Sequence, residues 1–244
     1  MIQLRAYWSI LIKDMKTYYL KPPNISWGIV FPVAWTLMFL IRSQTDVDIK
    51  SILPGVMAMS ILFGTTSMLA VTITFEKKHR SFERLLLSPI SLNLLMLAKT
   101  SGAILFGIVN AFIPVLFAAF IMDLGGINWL LVFTGVLLIS ITSTFLGLFI
   151  AVSAKEVFEA QTYSNFFRFP MIFLCGLFFP ITDIPVLIRP LSYLLPLTYG
   201  ADILKYQINN EGLFAQWVNF LLLFVFAAFL FMLSIKSIKK KWIY

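Results

Sequence analysis

Apolar runs long enough to cross a bilayer alternate with short polar interruptions along most of the chain. A helix needs about 20 apolar residues to span the hydrocarbon. Six stretches reach that scale: Ile25 to Ile41, Ile52 to Phe75, Leu92 to Ile121, Trp129 to Val152, Tyr163 to Phe179 and Phe214 to Ile235. The pattern predicts an all-α membrane protein with six transmembrane helices. The third run is long enough to tilt or to begin at the interface.

A different periodicity precedes the first run. Leu4, Tyr7, Trp8, Leu11, Met15 and Tyr18 recur at spacings of three and four, with Arg5, Ser9, Lys13 and Lys16 on the other side. That stripe predicts an amphipathic helix lying flat in the membrane interface. Pro22 and Pro23 end it, because proline has no N–H to donate. Between spans five and six, residues 180–212 keep Ile184, Val186, Leu187, Ile188, Leu191, Leu194 and Leu195 among Pro180, Pro185, Pro190 and Pro196. The stretch is too broken for a span and too apolar for a free loop. It predicts short helices dipping into the outer leaflet, where irregular backbone needs a protein cover.

Composition agrees with a membrane unit. The 244 residues are 60% hydrophobic and 12% charged, with a mean hydropathy of +0.91, against about 25% charged in soluble domains. Too little polar surface remains to coat a water-soluble globule. The chain reads as one membrane domain, 1–244, with its interfacial helix in 1–23. The net charge of +8 lies between the apolar runs, where anionic headgroups would meet it, and no soluble basic domain points to nucleic acid.

Lysine and arginine placement sets the orientation. With the N-terminus inside, fifteen cations fall on the cytoplasmic side and four (Arg42, Lys50, Arg189, Lys205) outside. Both termini are then cytoplasmic, which requires an even number of spans.

Candidate chemistry is sparse. No GxxxxGK[ST] loop is present to cradle a nucleotide phosphate. The sole histidine, His79, has no metal-ligand partner at useful spacing. The lone Cys175 reads as a packing residue. Lys99, Asp123 and Arg168 lie near predicted span ends, where long side chains can snorkel, and the span interiors are otherwise almost free of charge. This argues against an intramembrane enzyme and against an ion-coupled carrier.

Two stretches stand out. Glu76 to Pro89 (EKKHRSFERLLLSP) sits between two spans and reads as a short helix ended by Ser88-Pro89. On it Phe82, Leu85 and Leu86 share a face, flanked by both signs of charge, which suits either docking to another protein or a solvated loop. The other stretch is Leu195-Pro196-Leu197-Thr198-Tyr199-Gly200-Ala201-Asp202, where Tyr199 and Tyr206 could anchor at the interface or belong to a gate. Span five is rich in phenylalanine (Phe166, Phe167, Phe169, Phe173, Phe178, Phe179), facing lipid, a neighbouring helix or cargo. Pro170 and Gly176 there permit a bend or a close helix approach.

At these stretches the chain resembles the permease subunits of ABC-2 type ABC exporters, over nearly its whole length. Glu76 with Phe82-Glu83-Arg84-Leu85-Leu86 and Ser88-Pro89-Ile90-Ser91 is similar to that family's charged loop after span two. Phe178-Phe179-Pro180, then Pro196-Leu197-Thr198-Tyr199 and Asp202, is similar to its region before the last span. Lys205 stands where the family usually has arginine, keeping the charge but losing the bidentate fork.

The resemblance implies a dimer of permeases, the second being an identical or related copy, with two copies of an ABC ATPase below. No cofactor is expected in this chain, since ATP and Mg would bind the ATPase. Residues 76–91 would hold the coupling helix, with Glu76, Phe82, Glu83, Arg84, Leu85 and Leu86 docking the ATPase. Arg5, Lys13 and Lys16 would make a second contact. Phe179, Pro180, Pro196, Tyr199 and Asp202 would belong to an outer gate, and Phe166, Phe169 and Phe173 to the cargo path. Daunorubicin-type drug exporters look nearest, with polysaccharide and glycolipid exporters beside them. The setting implied is the inner membrane of a prokaryote. A passive channel or scaffold subunit without ATPase coupling is the alternative.

Overall fold

A computed structural model describes residues 2–21, 30, 33–34, 37–38, 49–177 and 179–243. The predicted span from Ile25 to Ile41 lies largely outside the described residues, as does Phe178. The helices are α1 (Ile2–Asp14), α2 (Ile49–Lys78), α3 (Ser81–Leu86), α4 (Leu92–Ala119), α5 (Trp129–Ser153), α6 (Val157–Leu174), α7 (Arg189–Tyr193), α8 (Pro196–Asn209) and α9 (Gln216–Ile238). No strand occurs among the described residues. Four of these helices, α2, α4, α5 and α9, are long and apolar enough to cross a membrane.

Helix α2 forms the hub, packed against α4, α5, α6 and α8. Some of its buried hydroxyls bond back to their own helix, as Ser60 Oγ does to Val56 O (2.8 Å) and Thr65 Oγ1 to Ile61 O (2.9 Å), while Thr66 Oγ1 crosses to Ser143 O of α5 (3.2 Å). Small polar residues therefore bring backbones close while these three hydroxyls stay paired. In α5, a side chain on Gly147 would put its Cβ 2.4 Å from the Thr66 carbonyl oxygen of α2. Small residues at helix contacts allow this approach inside a membrane, where lipid removes most of the hydrophobic drive for helices to associate. Helix α9 packs on α5 and α8 and turns Leu221, Phe224, Val225, Phe229 and Met232 outward, as a lipid-facing surface requires.

Starts and stops follow local chemistry. Ser91 caps α4, its Oγ accepting the Leu94 N–H, and Asn128 caps α5 through Leu131 N–H. Helix α2 runs on through Lys78 and then breaks where Arg80 takes a left-handed backbone at φ 57°. The single short helix expected from Glu76 to Ser88-Pro89 is therefore two pieces, the end of α2 and α3. The fifth apolar run also differs. Its helix, α6, starts six residues before Tyr163 and stops at Leu174, with Gly176 at φ 70°. With Glu159 and Arg168 in it, α6 is not among the four helices apolar enough to span.

Residues 180–212 are broken as expected: a 3-10 turn (Ile181–Asp183), α7 and α8. Val186, Leu187 and Leu194 point outward, while Leu197 and Ile203 are buried.

Candidate functional site: a buried ion cluster beneath a charged loop

Helix α1 lies along α4. Ile10, Leu11 and Asp14 face inward, whereas Leu4 and Trp8 of the predicted apolar stripe are exposed. The stripe is thus split between protein and surroundings. A π-turn, Met15–Tyr19, continues the helix and buries Tyr19 against Phe106, ring centroids 5.8 Å apart. Gly102 allows this, since a Cβ there would lie 2.9 Å from the Tyr19 ring. The Tyr7 hydroxyl lies 2.6 Å from Ser101 Oγ, a second tie between α1 and α4.

This docking assembles four charges. Lys99 of α4 reaches Glu76 Oε2 of α2 at 2.5 Å and Asp14 Oδ2 at 2.9 Å. Lys13 reaches Glu76 Oε1 at 2.5 Å and Asp14 Oδ1 at 3.2 Å. Lys99 and Glu76 are both 0% exposed, and Asp14 is buried, while Lys13 keeps part of its side chain in the open. Two cations and two anions make the cluster neutral, which is what allows such burial. Burial pushes the Asp14 carboxyl above its usual range, against the pull of Lys99. For Lys13 burial acts downward, but its hydrogen bond to Glu76 and the carboxylate charges outweigh it and hold the ammonium well above its usual value.

Lys99 therefore does not snorkel. A span-end position was read as open to water, but α1 covers it. Asp14 and Glu76 meet here, sharing both Lys99 and Lys13. Two signals pointed that way. Asp14 falls on the face of Ile10 and Leu11, and Glu76 falls on the face of Thr72 and Ile73. Arg168 departs from the expectation too. It is buried in α6 with its guanidinium 4.5 Å from the Phe63 ring, and among the described residues Nε and Nη2 have no hydrogen-bond partner.

The cluster sits directly under the charged loop. Ser81 Oγ donates to the Glu76 carbonyl, at the join of α2 and α3. Phe82 is buried edge-on to Trp242 (5.0 Å), and Lys77 Nζ lies 4.6 Å over the same indole. Leu85 and Leu86 pack into the same apolar group. The apolar face of the loop, read as a docking face, is thus turned into the chain, and Glu76 and Phe82 are shielded by its own residues. Glu83, Arg84 and Leu87 face outward, Leu87 at 87% exposure. Arg5 and Lys16 are exposed, and Lys13 is held by the cluster.

At the other end of the molecule, Asp202 is buried and accepts the Leu213 N–H (2.7 Å), the Phe214 N–H (3.1 Å) and the Asn219 Nδ2 (2.7 Å). It fixes the turn from α8 into α9. Tyr199 is buried, its hydroxyl donating to Tyr193 O at 2.7 Å, so it is no surface anchor. Phe179 and Pro180 are exposed, and Pro196 is half-buried at the start of α8. A cavity of about 160 Å³ lies between Pro180 and Asp202, with Cys175 in its wall. Phe166, Phe169 and Phe173 are all exposed along one face of α6.

Known proteins share sequence with most of this chain. The inner membrane transport permease YadH of Escherichia coli strain K12 is 24% identical over 182 residues, covering 73% of this chain and 71% of its own. The protein of the same name in Shigella flexneri matches to the same extent. The ABC-2 type transporter family matches residues 5–209, taking in α1, the ion cluster, the charged loop and α8. A match over most of the chain, on an all-helical frame with membrane-length helices, places this protein in the ABC-2 type transporter family.

Proposed function

We propose that the chain is the membrane permease subunit of an ATP-driven exporter, coupled through α3 to a separate ABC ATPase. The observation that carries this is the construction of the charged loop. Its apolar side is pinned by Phe82 on Trp242 and its base by the Glu76–Lys99–Asp14–Lys13 cluster, so Glu83, Arg84 and Leu87 project from a rigid mount. A push on such a loop is carried into α2, the hub, and through Lys99 and Asp14 into α4 and α1. A loosely tethered loop would absorb the push instead.

In this reading Glu83, Arg84 and Leu87 touch the ATPase, with Arg5 and Lys16 as a second contact. Glu76, Phe82, Leu85 and Leu86 hold the loop in place rather than touch the partner. The whole chain, 1–244, is one transmembrane domain with six spans, α6 and the segment 25–41 completing the set. Both termini are cytoplasmic in the inner membrane of a prokaryote. Two ATPase copies carry ATP and Mg, and a second permease completes the pathway. The exposed Phe166, Phe169 and Phe173 suit an amphiphilic, drug-like or lipid-like cargo. Phe179, Pro180, Pro196, Tyr199 and Asp202 belong to the outer gate, Asp202 by fixing its backbone. This chain itself catalyses no reaction.

Co-expression with candidate P-loop ATPases tests the reading. Wild-type chain should co-purify with one and stimulate its ATP hydrolysis in proteoliposomes. Glu83→Arg with Arg84→Glu should abolish both while membrane insertion persists, because like charges at an interface cost several kcal/mol. Equal ATPase capture by this variant at equal expression would remove the coupling role. Cargo flux without any ATPase would favour the channel alternative.

A further inference from the structure

The C-terminal end of α9 and the first turn of α4 enclose an open groove of about 320 Å³, lined by Asn93, Phe231, Met232, Ile235, Lys236 and Lys239. Residues 232, 235 and 236 of α9 and Lys239, its C-cap, fall on one side by the three-and-four rule. The groove therefore grades along the helix from apolar to cationic. Met232 is exposed and continues the outward strip of Phe224, Val225 and Phe229, which a membrane-crossing helix turns to acyl chains. One turn further on, Lys236 and Lys239 are exposed with Asn93 facing them across the groove. Among the described residues neither ammonium has a carboxylate within ion-pair distance. The buried acids of α1 and α2, Asp14 and Glu76, are occupied by Lys99 and Lys13.

We propose that this groove holds one anionic glycerophospholipid of the leaflet at the C-terminal end of α9, its phosphodiester between Lys236, Lys239 and Asn93 and its acyl chain along Phe231, Met232 and Ile235. The charge pattern selects this occupant. An apolar wall ending in two unpaired cations at the membrane boundary matches an amphiphile with a tail and an anionic head, in that order along the helix axis. A zwitterionic lipid brings an ammonium of its own to the same place and loses most of the attraction. A second protein chain would have to supply both a carboxylate pair and an apolar tongue in the lipid zone. The assignment is independent of ATPase coupling and of transport direction.

The test uses the purified full chain in nanodiscs of phosphatidylglycerol and phosphatidylethanolamine, with lipid retained after mild detergent extraction counted by native mass spectrometry. Wild type should keep phosphatidylglycerol in preference to phosphatidylethanolamine. Lys236→Gln with Lys239→Gln should weaken that preference about thirtyfold, from the worth of two lysines at an anionic surface. Lys78→Gln with Lys155→Gln, the same charge change at exposed lysines elsewhere, should leave it intact. Lys236→Arg with Lys239→Arg should also retain it, which separates a lost charge from a misfolded helix end. Equal loss in the Lys78/Lys155 control, or no lipid preference in wild type, overturns the proposal. So does full displacement of the lipid by millimolar sn-glycerol 3-phosphate, which would make the site one for a soluble phosphate ester. A change in self-association without a change in lipid count assigns the groove to a second copy and likewise overturns it.

Discussion

Replacing Lys99 with methionine removes the central cation of the buried cluster and keeps most of the side chain's bulk. Two carboxylates, Asp14 and Glu76, then face each other with only Lys13, itself partly exposed, to balance them. Breaking a buried pair by deleting one partner costs about 3–5 kcal/mol, because the remaining charge is left uncompensated. Folded domains are stable by only ~5–15 kcal/mol, so the loss should be plain. The distinctive expectation lies in the double variant. Glu76→Gln alone leaves Lys99 with Asp14 and should cost less than Lys99→Met. Glu76→Gln with Lys99→Met leaves Lys13 and Asp14 as a balanced pair. It should therefore be more stable than Lys99→Met alone, with a coupling energy of roughly 1–3 kcal/mol. The assay is unfolding of purified protein in mixed micelles titrated with SDS, read by tryptophan fluorescence and circular dichroism. If Lys99→Met lies within ~0.5 kcal/mol of wild type, or if the double variant equals the sum of its parts, the cluster does not hold α1, α2 and α4 together and the mount beneath the loop loses its basis.

Three further outcomes follow from the geometry. Trp242→Ala removes the ring that covers Phe82 and the cation–π contact of Lys77. It should expose α3 to local opening, seen as faster tryptic cleavage within residues 77–84 at unchanged global stability. Gly147→Ala forces a methyl into the Thr66 carbonyl and should cost about 1–3 kcal/mol by overpacking, whereas Gly126→Ala, with nothing near its Cβ, would cost only the strain of φ 78°; thermal melts in detergent compare the two. Asp202→Ala strands three donors, the partly buried Leu213 and Phe214 N–H groups and the buried Asn219 Nδ2, and should destabilise by about 2–4 kcal/mol, with Asp202→Asn milder because it keeps an acceptor. Equal melting of Asp202→Ala and wild type would deny Asp202 its role in fixing the α8–α9 turn.

Hydrophobic runs alone determined that this is a helical membrane protein, and they placed α2, α4, α5 and α9 within a few residues, because the bilayer imposes a length that a sequence displays directly. The same logic marked the charged loop after α2 and the broken stretch before α9. Contacts between distant residues were not legible in it. Periodicity gave α1 an apolar stripe, but only its docking on α4 decided that Leu11 turns inward while Leu4 and Trp8 face out. Spacing put Lys99 near a helix end, where exposure was the natural expectation, and the arrival of α1 some 85 positions earlier in the chain buried it with Asp14. The loop's apolar face looked available to a partner until the C-terminal Trp242 covered Phe82. Burial depends on what comes to lie against a side chain. Hydropathy constrains that for lipid, whose position relative to each span is nearly fixed, and leaves it undetermined for the rest of the protein until the helices have packed.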